Sequence, residues 1–422
     1  MLLVLLLTFL SLAPIVSGSE TLDLGNTQPQ SIGEEKELVL LHGEHVIVLE
    51  AKENVSTFNL RYYFPPEYGY QIPILMEILD DTTAKIISYK IENDTNEPNK
   101  VVNFTIESLN TTELGRIHLN YWVLVENYDY SDLPSRITIP KKENLPSNVT
   151  KWLSATEVVQ KDHFRIRLRA RQMKFLTNDV LRLANRIARF SMKHRFGLFL
   201  IQYYLGLYGP QDALTTLKRN GECPGRSHLG CALFRANNVP ARVLIANPSY
   251  DFWYEAHYLT EYYSGQEYGW ILTEVHHAIT PYEPKNQIIM RICYPEDENN
   301  DTHTDYLYPR MTGVENYIWI NNESVEPYYK DLNEGSKTRM INENEITVDS
   351  FDANITIGIT KEAYSNFEYY TNMDLTGENL DYFNSAVSYQ KTAVNILKND
   401  VDPFGYYTYM HLANLEYDKI SI

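Results

Sequence analysis

The sequence predicts an α+β protein in which antiparallel strands come first and helices later, and three observations carry that expectation. From about Glu37 to Pro140 apolar residues recur with period two, from Thr177 the period lengthens to that of a helix, and clusters of Asn, Asp, Gly and Pro separate the short strands. At 422 residues the chain is too long for one ordinary core and is expected to hold two or three domains.

Residues 1–18 read as a signal peptide. An apolar run from Leu2 to about Leu12 is followed by Pro14 and by the small residues Ser17, Gly18 and Ser19, where a signal peptidase can cut. The run is short of the roughly 20 apolar residues of a stable membrane span. Asn-x-Ser/Thr sequons begin at Asn54, Asn93, Asn103, Asn110, Asn148, Asn300, Asn322 and Asn354, as is common in exported glycoproteins. The expectation is a secreted, soluble, extracellular protein.

Residues 19–145 are expected to form an antiparallel, Ig-like β-sandwich. Phe58, Leu60, Tyr62 and Phe64 share one face of "FNLRYYF", Val102, Phe104 and Ile106 one face of "VVNFTI", and Ile117, Leu119, Tyr121, Val123 and Val125 one face of "RIHLNYWVLV". "PKKENLPSNVT", from Pro140 to Thr150, reads as a linker. After it, Val180, Leu181, Leu183, Ala184, Ile187, Ala188 and Phe190 follow a helical stripe, with Thr177 or Asn178 as the expected N-cap. Lys161 to Arg195 carries eleven Lys/Arg against two Asp, either a docking face for an acidic partner or a solvated face paired with the chain's own carboxylates; the second is the simpler reading.

The stretch "NGECPGRSHLGCALFRANNVPAR", Asn220 to Arg242, holds the most chemistry. Gly221 allows a tight turn, Cys223 stands at a helix entrance, and Pro224 suits the first helical turn, where its missing N–H is not needed. A helix N-terminus favours thiolate over thiol, and its amides can hold an oxyanion. Downstream, "YEAHYLTEYY" and "YGWILTEVHH" place His257 and Glu274 in adjacent strand-like segments, where they can act as base and orienting acid; His228, His276 and His277 compete for the base role.

These residues resemble the transglutaminase-like superfamily of papain-type thiol enzymes. "ALFRANNVPAR" follows the family's pattern, with Arg242 nineteen residues past Cys223, a His leading a strand at His257, and the acid Glu274 four residues past Trp270. The resemblance covers roughly Phe199 to Pro281 and implies a papain-like catalytic domain at 146–295 with Cys223, His257 and Glu274 as its triad. The family's usual acid is aspartate. With Cys223 engaged in chemistry, Cys231 and Cys293 remain as one candidate disulfide. Residues 296–422 are expected to form an aromatic-rich and helical C-terminal extension packed on the catalytic domain, with Phe383, Ala386, Val387, Ala393, Val394 and Leu397 on the buried side of one helix.

The implied function is attack of Cys223 on an amide carbonyl of a peptide or protein substrate. Hydrolysis by a protease or amidase is expected first, amine transfer that cross-links proteins second, and an inactive binding or adhesion protein third. Glu274→Gln is expected to leave folding nearly intact, at about 1 kcal/mol for one partly exposed hydrogen bond. No cofactor and no metal are expected: "DENNDTHTD", Asp297 to Asp305, lacks the glycine and glutamate of a calcium loop. The net charge of -18 argues against a nucleic-acid partner. Composition, 44% hydrophobic and 22% charged, is that of a globular protein.

Overall fold

The computed structural model describes residues 37–128, 130–195, 210–248, 257–299, 350–399 and 402–421, with the strand segments 310–312, 318–331, 339–341 and 344–346. The expected signal segment 1–18 and the sequon at Asn300 lie outside the described residues.

Strands β1 (Glu37–Ala51), β2 (Phe58–Phe64), β3 (Gln71–Ile78), β4 (Ile86–Asn93), β5 (Lys100–Ile106) and β6 (Leu114–Asn127) come first. The period-two pattern explains them. Phe58, Leu60, Tyr62 and Phe64 are buried on β2 while Asn59 is exposed between them, and β5 and β6 bury the residues that the alternation selects. On β6 the intervening Trp122 and Leu124 are buried as well. A sheet covered on both faces shows this pattern.

After β7 (Ala241–Pro248), β8 (His257–Tyr263), β9 (Trp270–Thr273) and β10 (Gln287–Ile292), the chain supplies β11 (Arg310–Thr312) and β12 (Ile318–Asp331). Three four-stranded sheets result, ordered β12-β1-β6-β3, β11-β2-β5-β4 and β10-β7-β8-β9, all with antiparallel pairing. The fold is thus α+β with antiparallel sheets.

The stretch after residue 295 behaves differently from expectation. β12 pairs along β1 from Val39 to Ala51, and β11 pairs with β2, so the aromatic-rich segment adds a strand to each N-terminal sheet. The helices Ser350–Thr371 and Glu378–Asn399 lie against β3, and the first also meets β4. Gln390 Nε2 donates to the Ile74 carbonyl at 3.3 Å, the Asn372 side chain closes two hydrogen bonds with the Ile91 backbone at 2.6 and 2.9 Å, and Lys391 meets Glu77 at 2.6 Å. The apolar stripe of Ala386, Ala393, Val394 and Leu397 joins the core of the first two sheets.

The expected domain borders near 145 and 295 do not separate cores either. Leu244, Ala246, Leu259, Trp270 and Leu272, from one face of the third sheet, share a core with β1–β6. Two buried amides sew β10 to the N-terminal half: Gln71 to the Ile289 N–H and C=O, both at 2.8 Å, and Asn99 to those of Ile292 at 2.8 and 2.9 Å. The segment 140–150, expected to be a linker, is exposed from Lys141 to Asn144, where it makes a 3-10 turn, and then forms a single turn of helix, α1 (Ser147–Thr150), before Trp152 enters the interior edge-on to Trp270, ring centroids 5.3 Å apart.

Candidate active site

The other face of the third sheet carries the helices that position the site. These are α2 (Phe164–Lys174), α3 (Val180–Met192), α4 (Ala213–Arg219) and α5 (Cys223–Ala236). α3 buries Val180, Leu183, Ala184, Ile187 and Ala188 of the stripe read from its period and leaves Leu181 and Phe190 half-buried, and its N-cap is Asp179, whose carboxylate accepts from Leu181 N–H at 3.1 Å. A carboxylate at the positive end of a helix stabilises it beyond what Thr177 or Asn178 would give.

α5 begins at Cys223, with Glu222 as N-cap and Pro224 in the first turn, and it ends at Asn237 with Asn238 at φ 61. The turn before it falls on Asn220, at φ 73, and not on Gly221. Gly221 is needed for space: a Cβ there would stand 2.6 Å from Thr216 Oγ1, and one on Gly225 would collide with the same hydroxyl. α4 can therefore pack tightly against the first turn of α5 and hold the half-buried Cys223 in place.

His257 is the first residue of β8, and β9 runs antiparallel beside it with Thr273 opposite Thr260. The next residue, Glu274, is thereby brought to the strand end that carries His257. Its Oε2 meets His257 Nε2, its Oε1 accepts from His276 N–H at 2.6 Å, and its backbone bridges Ile279 at 2.9 and 3.0 Å. The imidazole is also hydrogen-bonded to the Cys223 side chain. With Nε2 occupied by Glu274, Nδ1 is the ring nitrogen left for the sulfur.

Burial works against the His257 charge. The Glu274 carboxylate, the hydrogen bonds to Cys223 and Glu274, and the Cys223 charge outweigh it and raise the imidazole to about 10. Glu274, fully buried, is likewise opposed by burial and is nevertheless held below the usual carboxylate range by His257, the His276 N–H and the His276 ring. The pair is therefore imidazolium and carboxylate at neutral pH.

His276 lies beside this pair, its ring edge-on to His257 with centroids 5.6 Å apart. Burial first, and then the Arg226 guanidinium that contacts its Nδ1, depress it to about 3. A group this weakly basic is a poor general base. His228 is buried and bonded through Nδ1 to the Gln211 carbonyl at 2.6 Å, and His277 is exposed. Sequence reading missed Arg226. It stands one helical turn after Cys223, ion-paired with Glu222 at 3.6 Å, and that i, i+3 spacing was the available signal.

Glu274 is not the partly exposed group expected, and this changes what its loss does. A raised imidazole stabilises the fold fully below its unfolded value near 6.5 and loses that contribution as pH climbs through about 10; a lowered carboxylate contributes above about 4.5 and is lost as pH falls. The stability gap between the native chain and Glu274→Gln is thus expected to be widest near pH 5–6 and to narrow steadily towards pH 10. Urea unfolding across that range measures it, and a gap independent of pH would remove the charge pair.

The candidate disulfide is not formed. Cys231 and Cys293 are both free, buried thiols. Burial pushes the Cys231 thiol up to about 12 and holds that of Cys293 well above its ordinary value. Each side chain fills the core between α5 and the third sheet as a small hydrophobe.

The arginines of "ALFRANNVPAR" are structural. Arg235 is fully buried on Glu298, at 2.7 and 2.5 Å, and donates to the Ala241 carbonyl at 2.8 Å. Arg242 meets Glu261 at 2.8 Å and the Tyr68 hydroxyl, with its guanidinium 3.9 Å from the centre of the Trp270 ring. Among the described residues no group of three or more His, Cys, Asp or Glu is placed to hold a metal ion, and no helix is long and apolar enough to cross a membrane.

Residues 171–275 match the family model of the transglutaminase-like superfamily, in agreement with the resemblance read from the sequence. The matched segment starts in α2 and ends one residue past Glu274, so it takes in Cys223 and His257. No curated protein matches the chain. A solved structure from Cytophaga hutchinsonii, described as a candidate cysteine protease, aligns at 14% identity and a TM-score of 0.48 over 70% of this chain and 90% of that one. A second, from Parabacteroides distasonis and described as a candidate protease, aligns at 12% identity and a TM-score of 0.23 over 54% of this chain and 42% of that one.

Proposed function

We propose that this chain, transglutaminase-like over residues 171–275, is a thiol enzyme that cleaves amide bonds of peptides or proteins, with Cys223 as nucleophile, His257 as base and Glu274 as the acid that orients it. The single observation that supports this most is the chain of contacts Cys223–His257–Glu274, closed by a carboxylate with no solvent exposure. With the imidazolium already holding the proton given up by the thiol, the sulfur adds to the carbonyl carbon and the imidazolium passes that proton to the departing amine, leaving a thioester. Pro224 has no N–H, and the Arg226 N–H is already bonded to the Glu222 carbonyl at 2.9 Å. The Cys223 amide, at the helix N-terminus beside the sulfur, is a donor available to the developing oxyanion.

Glutamate in place of the family's usual aspartate is compatible with this role, because Glu274 has its second oxygen fixed by the His276 N–H. Water is the acceptor we favour, since transfer to an amine needs a walled channel that keeps water out. Of the aromatic residues expected to wall such a channel, Trp253, Trp270 and Trp319, the Trp270 ring is turned into the core against Trp152 and Arg242, and Trp253 and the Trp319 side chain lie outside what is described. Incubation with an unfolded protein and a labelled primary amine separates the outcomes. Cys223-dependent release of peptides or ammonia without label is the expected result, label incorporation would establish cross-linking instead, and no product on a broad panel that Cys223→Ala abolishes would leave a binding protein. Secretion remains part of the proposal, supported by the N-terminal apolar run and by exposed sequons at Asn54, Asn93, Asn110 and Asn354.

A further inference from the structure

Beside the site, α2, the end of α3 and α4 surround a cleft of about 540 Å³ lined by Arg165, Leu168, Arg169, His194, Lys218 and Arg219, among others. Four of these are Lys or Arg, and among the described residues no carboxylate lines the cleft. Of the simpler sequence reading of Lys161–Arg195, a solvated face paired with the chain's own carboxylates, the first half holds for Arg165 and Arg169, which are exposed, and the second does not. Among the described residues none of Arg165, Arg169, Lys218 and Arg219 has an ion-pair partner; Arg169 donates only to the Gln172 side chain at 2.8 Å and lies 5.1 Å from the centre of the Phe190 ring.

In a chain of net charge -18, four exposed cations gathered without a counter-ion among the described residues make a local positive patch that attracts anions. Burial first, together with the Arg169 charge, keeps His194 below its ordinary value, so the cleft's charge at neutral pH is that of the four cations. Apolar surface completes it: Leu168 is 57% exposed, and Phe164 on the same helix 67%. The cleft is tied to the catalytic loop, because the His194 carbonyl accepts the Gly221 N–H at 2.8 Å and Arg219 precedes Cys223 by four residues.

We propose that this cleft is a substrate subsite that seats an acidic segment of the polypeptide whose amide bond Cys223 attacks. The inference rests on the enzyme reading for the meaning of its position, though not for the binding itself. Carboxylate side chains of the segment pair with Arg165, Arg169, Lys218 and Arg219, while Leu168 packs against its apolar stems. A peptide is favoured over a rigid polyanion because the cleft combines dispersed cations with apolar surface, and not one concentrated phosphate cradle.

The test is fluorescence anisotropy on the full chain with a labelled Asp/Glu-rich decapeptide and its Asn/Gln counterpart. The acidic peptide is expected to bind at least about tenfold more tightly at low salt, and that preference to shrink severalfold when salt shortens the screening length below about 10 Å. Arg165→Glu with Arg169→Glu should abolish the preference, and the milder Arg169→Gln with Lys218→Gln, read in parallel as a folding-safe variant, should reduce it severalfold. Equal binding of the two peptides, a preference that survives both variants, or tight binding of inorganic polyphosphate with no preference between peptides would overturn the proposal. Alkylation of Cys223 by iodoacetamide in the unaltered chain probes the enzyme reading alone: an unreactive thiol with an intact peptide preference would remove the catalysis and support the acidic-peptide site.

Discussion

Replacement of His257 by Gln is expected to slow thiol chemistry at Cys223 by a factor of about 10²–10⁴, the range that a positioned acid–base group supplies. The imidazole is held between the sulfur and a carboxylate that is out of contact with solvent, so no water can take over its role at the same place. Its elevation to about 10 means that the native chain carries imidazolium throughout the neutral range, a cation beside the sulfur that His257→Gln lacks. Mass spectrometry of iodoacetamide-labelled peptides reads the labelling rate and locates the label. Label on Cys231 or Cys293, which are buried and carry raised values, would contradict the assignment, as would equal labelling rates in the two chains.

The second large effect is on stability. Glu298→Gln removes the only carboxylate among the described residues that the buried Arg235 guanidinium touches and is expected to cost about 3–5 kcal/mol, because the charge stays behind without compensation. Glu298 also accepts from the Thr156 hydroxyl at 2.8 Å, so the same change loosens the segment that enters the site's helical layer. The double variant Arg235→Met with Glu298→Leu should recover most of the loss, since the charge and its partner leave together. Urea unfolding followed by circular dichroism gives the comparison. A single variant as stable as the native chain, or a double variant no better than the single one, would show that the pair is dispensable.

Much of this protein is written locally. Alternation of apolar residues marked β2, β5 and β6, the 3.6-residue stripe marked α3, and the spacing from Cys223 through Arg242 to Trp270 and Glu274 marked the segment that matches the transglutaminase-like family. These features depend on side chains a few residues apart or on motif spacing, so a single chain read in order displays them. What depended on tertiary structure was of another kind. The segment after residue 295 joins the first two sheets because their outer strands β1 and β2 offer unpaired backbone edges, and edge complementarity over hundreds of residues leaves no periodic trace. Cys231 and Cys293 remain separate thiols because helix and sheet packing buries each of them as a small apolar group, whatever their number suggests. Burial of Glu274, the depression of His276 by Arg226 and the unpaired cations beside α4 are all set by which charges the fold brings within a few ångströms of one another and how much water it leaves there, and neither quantity exists until the chain has closed on itself.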